Sequence, residues 1–325
     1  MAKAEIGNLN GYPAVFIDGE PYPFTQAITV RTHTRDGLKF DADYFRRLGE
    51  SGIRLFYVTC DTEWGVSGSV KEFESECEQL FAAVPNAYVM VRIGLHPPVS
   101  FTEEYPEECF TYDDGSSPSV VLGNETFCRR YPHLYSEASS VWREQAKEAL
   151  LQTCGKFDEM PFADRIIGYF FAAGGTSEWY YLLDLENGER TGDFSAAFRR
   201  EFSAYLKEKY KTEDALKRAW REEDASFENP KIPDAEERFY AKRFDAGYWR
   251  EDEACEESLT AVRTNGTNIG SFLDTDSRMR VLDFYRAWHI ATAKSQIYFA
   301  KAIKERYRGE KLTGAFYGSY GCTDF

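Results

Sequence analysis

The sequence predicts an α/β fold in which a parallel sheet is covered by helices. Two observations lead there: apolar runs of strand length alternate with stretches of helical periodicity, and those runs are continuous instead of alternating with polar residues. At 325 residues the chain is long enough for one large core.

The elements follow in order. "PAVFIDGEPYPF" sets Asp18-Gly19 between two short β-prone runs, which predicts a hairpin over 12–23. "TQAITVR" reads as strand one. "DADYFRRLGESG" reads as a helix, with Asp41 as N-cap, Tyr44, Phe45 and Leu48 at helical spacing and Gly52 past the end. "IRLFYVTC" is strand two. "VKEFESECEQLFAAV" is a helix with Phe73, Cys77, Leu80, Phe81 and Val84 on one face, and "AYVMVRIGL" is strand three. The stretch 97–135 that follows is long for a connection and carries Pro, Gly and Ser, which suggests a functional loop. A helix over about 137–154 leads to strand four, "RIIGYFFAA". Helices are then expected in "DFSAAFRREFSAYLKEKY" and "TEDALKRAW". The acidic stretch 221–276 has Pro230 and Pro233 and no clear period, and reads as an insertion. A helix near 277–307 feeds strand five, "KLTGAFYGSYG".

No G-x-G-x-x-G opens a helix and no phosphate loop of the G-x-x-x-x-G-K-[ST] kind occurs, so nucleotide-binding folds lose support. The expected architecture is a (β/α)8 TIM-type barrel occupying 1–325 as one domain. About five of its strands are present, so it is expected to be incomplete at the C-terminus, with the N-terminal β-hairpin ahead of strand one.

Composition narrows the function. Fifty-four acidic against 39 basic residues give a net charge of −15, which opposes a nucleic-acid partner. No apolar run is long enough to cross a bilayer, so no membrane partner is expected. The first residues, "MAKAEIGNLN", have no apolar signal core, and the expected location is cytoplasmic unless a leader was removed. Seven scattered cysteines, with no C-x-x-C, fit neither a disulfide framework nor a zinc site. His33, His133 and His289 have no partner at metal-ligand spacing. No metal and no cofactor are expected.

In a parallel barrel, ligands meet the C-terminal ends of the strands. The residues expected there are Gln26 after strand one, Asp61, Glu63 and Trp64 after strand two, and Arg92 and His96 at the end of strand three. Glu178 and Trp179 follow strand four, and Tyr317 and Tyr320 follow strand five. Acids, a guanidinium and large aromatics together suit a polyhydroxylated ligand. Glycosidic cleavage needs a carboxylic acid of raised pKa to protonate the leaving oxygen, and a second carboxylate for the charge that builds on the sugar. An indole wall beside Glu178 would favour its protonated form by desolvation.

Each residue also carries a plainer alternative. Glu178 is otherwise a solvated loop acid, and Trp179 is a pocket wall, a sugar platform or a core residue. Arg92 contacts ligand or pairs with a carboxylate in the barrel mouth. Asp61 and Glu63 are loop acids or helix caps, Tyr317 and Tyr320 pack or touch ligand, and His96 ends its strand.

"RIIGYFFAAGGTSEWYY" followed by "DFSAAFRREFSAYLKEKYKTEDALKRAW" resembles the fourth-strand region of clan A glycoside hydrolases, in particular family 42 β-galactosidases and their relatives. "AYVMVRIGLHPP", "YSEASSVWREQAKEAL" and "VLDFYRAWHIATAKSQIYFAKAIKERYRGEKLTGAFYGSYG" extend the resemblance over most of the chain. It implies a retaining O-glycoside hydrolase, β-galactosidase-like, with Glu178 as general acid/base and Arg92 as a substrate-orienting residue. Two departures stand out. Ser177 occupies the position where the family has Asn. The family's nucleophile, a Glu at the end of the seventh strand, has no counterpart on a count that reaches strand five at the end of the chain. Three explanations stay open: a fragment, a partner that supplies the rest, or a wrong strand count.

The expected partner is a carbohydrate substrate, with a second copy or another chain covering the open barrel edge. The alternatives from other classes are a non-catalytic carbohydrate-binding or scaffold remnant of such a barrel, and an unrelated α/β barrel enzyme acting on a phosphorylated metabolite.

Overall fold

The computed structural model describes residues 2–22, 26–29, 31–34, 37–64, 68–122, 129–174, 179, 192–234, 237–238 and 278–315. The chain opens with three antiparallel strands, β1 (Ala4–Leu9), β2 (Tyr12–Ile17) and β3 (Glu20–Tyr22). The β2–β3 turn places Asp18 and Gly19 at positive φ, 52° and 86°, the conformation a tight hairpin demands and Asp-Gly accepts. The predicted hairpin is there, and β1 is a third member that the polar "AEIGNL" did not announce.

The main sheet contains β4 (Gln26–Ile28), β7 (Leu55–Asp61), β8 (Tyr88–Gly94), β11 (Ile166–Ala172) and β12 (Leu312–Ala315). These are the five strands expected from sequence. The small antiparallel pairs β5 (Arg31–Thr34) with β6 (Gly37–Phe40), and β9 (Val120–Leu122) with β10 (Arg129–Tyr131), lie outside it. All neighbours in the main sheet run parallel, and their spatial order is their chain order. A doubly wound sheet reverses its strand order at a switch point, whereas a sheet wound in one direction proceeds around a barrel. Among the described residues the sheet is open, with β12 and β4 at its edges.

The helices are α1 (Ala42–Glu50), α2 (Ser69–Ala83), α3 (Val99–Glu104), α4 (Ser140–Asp158), α5 (Ala196–Tyr210), α6 (Glu213–Trp220) and α7 (Met279–Arg306), and α1, α4, α5 and α6 start where an N-cap side chain accepts from one of the first N–H groups. Asp41 accepts from Tyr44 N–H at 2.9 Å, Ser139 from Trp142 N–H at 3.0 Å, Ser195 from Phe198 N–H at 3.1 Å and Thr212 from Ala215 N–H at 3.2 Å. The stretch 97–135 is more ordered than a loop. It holds α3, a 3-10 turn at Pro106–Glu108 and the β9–β10 pair.

Strand periodicity sorts the sheet into two faces. Phe56, Val58 and Cys60 of β7, Val89, Val91 and Ile93 of β8, and Tyr169 and Phe171 of β11 meet α2, α4 and α7 through Phe73, Leu80, Trp142, Phe157 and Phe299. On the other face Leu55, Tyr57, Met90, Phe170 and Leu312 pack against Ala2, Ala4, Val15 and Ile17 of the N-terminal sheet. Backbone bonds tie that sheet to the residues just before β11 and β12: Ala2 N–H to Asp164 O at 3.0 Å and Ala4 N–H to Glu310 O at 2.8 Å. The amino ends of the strands are therefore closed on their inner face.

A second core joins α5, α6 and α7 through Phe198, Phe202, Leu216, Trp220 and Phe284. Its polar centre is Asp283, fully buried. It accepts from Trp220 Nε1 at 2.9 Å, Tyr210 OH at 2.6 Å and Tyr205 OH at 3.2 Å, and pairs with Lys209. Its two oxygens take donors from α5 and α6, so this one side chain of α7 fixes three helices to one point.

Candidate functional site at the strand carboxyl ends

With the amino ends closed, the carboxyl ends carry the accessible chemistry. Period-two alternation puts Thr59 and Asp61 on the face of β7 that holds Leu55 and Tyr57, and Arg92 on the face of β8 that holds Met90. In register, Thr59 lies opposite Arg92, Asp61 opposite Gly94, and Arg92 opposite Phe170 of β11. The inner face thus turns from apolar at its amino end to polar at its carboxyl end. Asp61 is buried, and its own N–H donates to Ser69 Oγ at 2.8 Å. Gly94 makes room for it, because a methyl group there would collide with Asp61 Oδ1. Arg92 is half-buried. A guanidinium and a carboxylate side by side on one inner face offer both donors and acceptors to a polyhydroxylated ligand.

The other expected site residues fall differently. Gln26 opens β4 opposite Leu55, at the amino end, so it does not follow strand one and does not join the carboxyl-end group. Glu63 caps α2: its Oε1 accepts from Gly68 N–H at 3.0 Å and Val70 N–H at 3.4 Å, and its Oε2 pairs with Lys156. Burial would raise its pKa, but these bonds to Lys156 and Gly68 bring it below the usual carboxylate value. Trp64 is half-buried and meets the Phe101 ring edge-on at 5.8 Å. His96 is buried, with Nδ1 3.1 Å from Tyr135 OH.

Trp179 is 1% exposed. Its Nε1 donates to Phe171 O at 2.9 Å, and its ring lies 6.2 Å from both Trp142 and Phe299. The structure thus selects the core alternative for this residue. The indole faces the helix side of β11, where it cannot act as a sugar platform on the inner face. Glu178, Tyr317 and Tyr320 lie outside the described residues, as does most of the stretch 221–276.

Glu137 and Asp193 are buried acids that the sequence did not mark. Glu137 lies ahead of the α4 cap, where an acid reads as an ordinary first-turn residue, yet it is buried. Thr292 Oγ1 donates to its Oε2 at 3.3 Å. Burial pushes its carboxyl up to about 8, against the Thr292 bond and with help from nearby Asp193. Asp193 is also buried and its pKa is raised by that burial, against hydrogen bonds from Ser136, Ser195 and Thr111. No periodicity or motif marks either one, because burial of a polar residue in an irregular segment is a tertiary fact.

Among the described residues no group of three or more His, Cys, Asp or Glu could hold a metal ion, and no helix is long and apolar enough to cross a membrane. A cavity of about 350 Å³ is lined by Arg199, Glu222, Ser226 and Lys231 among others, none of them at a strand end.

No family model and no curated protein matches the chain. Solved structures do. The catalytic domain of a β-amylase from Paenibacillus polymyxa is similar at 14% identity over 89% of this chain and 65% of its own, with a TM-score of 0.55. A β-galactosidase from the psychrophilic Marinomonas ef1 is similar at 15% identity over 84% of this chain and 34% of its own, TM-score 0.47. The apo exo-carrageenase GH42 from Bacteroides ovatus is similar at 12% identity over 97% and 33%, TM-score 0.49. The chain spans about a third of the length of the β-galactosidase and of the exo-carrageenase. At these identities the likeness to glycoside hydrolases is one of fold.

Proposed function

We propose that the chain is the acid/base-bearing part of a retaining glycoside hydrolase, β-galactosidase-like, that takes its sugar at the carboxyl ends of the strands. The observation that supports this most is the polarity of the inner face. It is apolar and closed by β1–β3 at one end, and at the other it carries Thr59, Asp61 and Arg92. Glu178 follows Gly174, just past the end of β11, by four residues. In this proposal Glu178 protonates the leaving oxygen and later removes a proton from water, and Arg92 and Asp61 orient sugar hydroxyls. The second carboxylate, roughly 5–5.5 Å from the first in a retaining pair, comes from outside the described residues. Among the described residues β12 and β4 are the edges of the sheet, and further strands or a second copy pairing there would complete the cylinder.

The test is Glu178→Gln in the complete enzyme, assayed on a panel of aryl glycosides. Turnover should fall by about 10²-fold or more on substrates with a poor leaving group. It should fall much less on substrates with an acidic phenol, where azide, which needs no general base, restores it. Near-normal turnover on the poor leaving group refutes the assignment. Sugar binding by calorimetry with no hydrolysis even by the complete assembly would instead favour the carbohydrate-binding remnant.

A further inference from the structure

Away from the strand ends, the cavity of about 350 Å³ lies between the first turn of α5 and the segment 222–232 that follows α6. Its volume is at the low end of the range for small-molecule sites and leaves room for one substituted sugar ring. The walls are parts that the second core already fixes. Ala225 and Ile232 are buried in that core, and Phe194 packs against it. Glu213 Oε1 holds the segment after α6, accepting from Ser226 Oγ at 3.0 Å and from Phe227 N–H at 3.0 Å. Phe194 is held from the other side by its own N–H, which donates to Thr111 O at 2.7 Å. The cavity therefore owes its shape to the fold.

The cations in its wall set it apart. Elsewhere on these helices a half-buried guanidinium is matched by acids: Arg143 pairs with Glu201, and Arg280 with Glu222 and Glu237. Arg199, half-buried in the first turn of α5, is not. Among the described residues its guanidinium makes one long bond, from Nη1 to Pro230 O at 3.4 Å, and no ion pair. A guanidinium has five N–H donors, so most of its capacity is left for a ligand. Lys231, also in the wall, stands 3.7 Å from Glu237 Oε1, an oxygen that Arg280 already takes. The Glu222 charge is answered from behind by Arg280 Nε at 2.8 Å. The wall thus offers two under-used cations in a chain whose net charge is −15.

The same wall offers acceptors and a ring. Asp224 and Asn229 are exposed there, and Phe194 is half-buried. A neutral sugar would leave the guanidinium unanswered. A bare inorganic anion would leave Phe194 unused and bring like charge towards Asp224. A hydroxylated ring that carries one carboxylate uses every part of the lining.

We propose that this cavity is a binding site for a sugar acid of the uronate kind. The carboxylate sits on Arg199 and Lys231, the hydroxyls meet Asp224 and Asn229, and the C–H face of the ring lies against Phe194. The site concerns binding alone and stands apart from the acid/base assignment of Glu178.

Ligand-observed NMR titration of the full chain tests it, with sodium D-galacturonate and sodium D-glucuronate as probes and D-galactose and sodium acetate as comparators. For so small a ligand the expected dissociation constant of at least one uronate is on the order of millimolar. The neutral sugar and acetate should each bind roughly tenfold more weakly or worse, since each lacks half of the recognised chemistry. Arg199→Gln should weaken uronate binding by roughly tenfold and leave galactose unchanged. Lys231→Gln, at an exposed position where folding is not at risk, should weaken it severalfold, and added salt should do the same to the wild type. Uronate binding that survives both substitutions lies elsewhere on the molecule and overturns the proposal. So does the absence of uronate binding, or galactose binding of equal strength. Should Arg199→Gln fail to fold, Lys231→Gln and the salt dependence decide.

Discussion

Replacing Glu137 with Gln should remove a pH dependence of stability that can be worked out from the site. The carboxyl titrates at about 8 in the folded chain against a usual 4.5. Between those values the unfolded chain has lost the proton that the folded chain keeps. Folding is therefore favoured at the acid end of this window and weakened as pH rises through it, flattening above about 8. Each pKa unit is worth about 1.36 kcal/mol, so the full window of about 3.5 units corresponds to roughly 5 kcal/mol. Glutamine has nearly the same shape, still accepts from Thr292 and cannot ionise.

Urea unfolding of both proteins at pH 5, 7 and 9 supplies the measurement. The stability of the Gln variant relative to wild type should grow steadily with pH, by a few kcal/mol over the series. Asp193, whose pKa burial also raises, is present in both proteins and cancels to first order in the difference. A difference that stays flat with pH would mean that Glu137 ionises as it would in water, and the buried-acid description of this segment would fail.

Two further outcomes are expected. Asp283→Ala strips the carboxylate from Trp220, Tyr210 and Lys209 and should cost about 3–5 kcal/mol in urea unfolding, with Asp283→Asn costing less because one acceptor remains. Gly94→Ala pushes a methyl group into the Asp61 carboxyl and should cost about 1–3 kcal/mol; an unchanged unfolding midpoint would show that the carboxyl is not seated against β8.

The main sheet was legible because its strands are covered on both faces for much of their length. Buried strands such as "LFYVTCD" and "IIGYFFA" are long apolar runs, and the helices between them announce themselves with Asp41, Ser139, Ser195 and Thr212. β1 was not legible, since only Ala4 of "AEIGNL" is buried and its partners are supplied from across the molecule. At the site the sequence located Asp61 and Arg92 by strand end alone, and the register puts both on the inner face. It set Trp179 beside Glu178 as a wall because neighbours in sequence look like neighbours in space. The indole packs on the helix side of β11, with its Nε1 bonded to Phe171 O. Glu63 resolves to the helix-cap alternative, a choice that depends on Gly68 N–H, five residues on, being left without a partner inside its own helix.

The stitching of Ala4 to Glu310 has a consequence for how the chain is made. The first strands leave the ribosome early, but the surface they cover is not finished until Leu312 has been synthesised. Their docking depends on very distant contacts, which makes it a late and slow step in self-assembly. Until Glu310 and Leu312 are made, Ala4 lacks its backbone acceptor and the apolar cluster its last member, and it is at this stage that chaperone help should matter most.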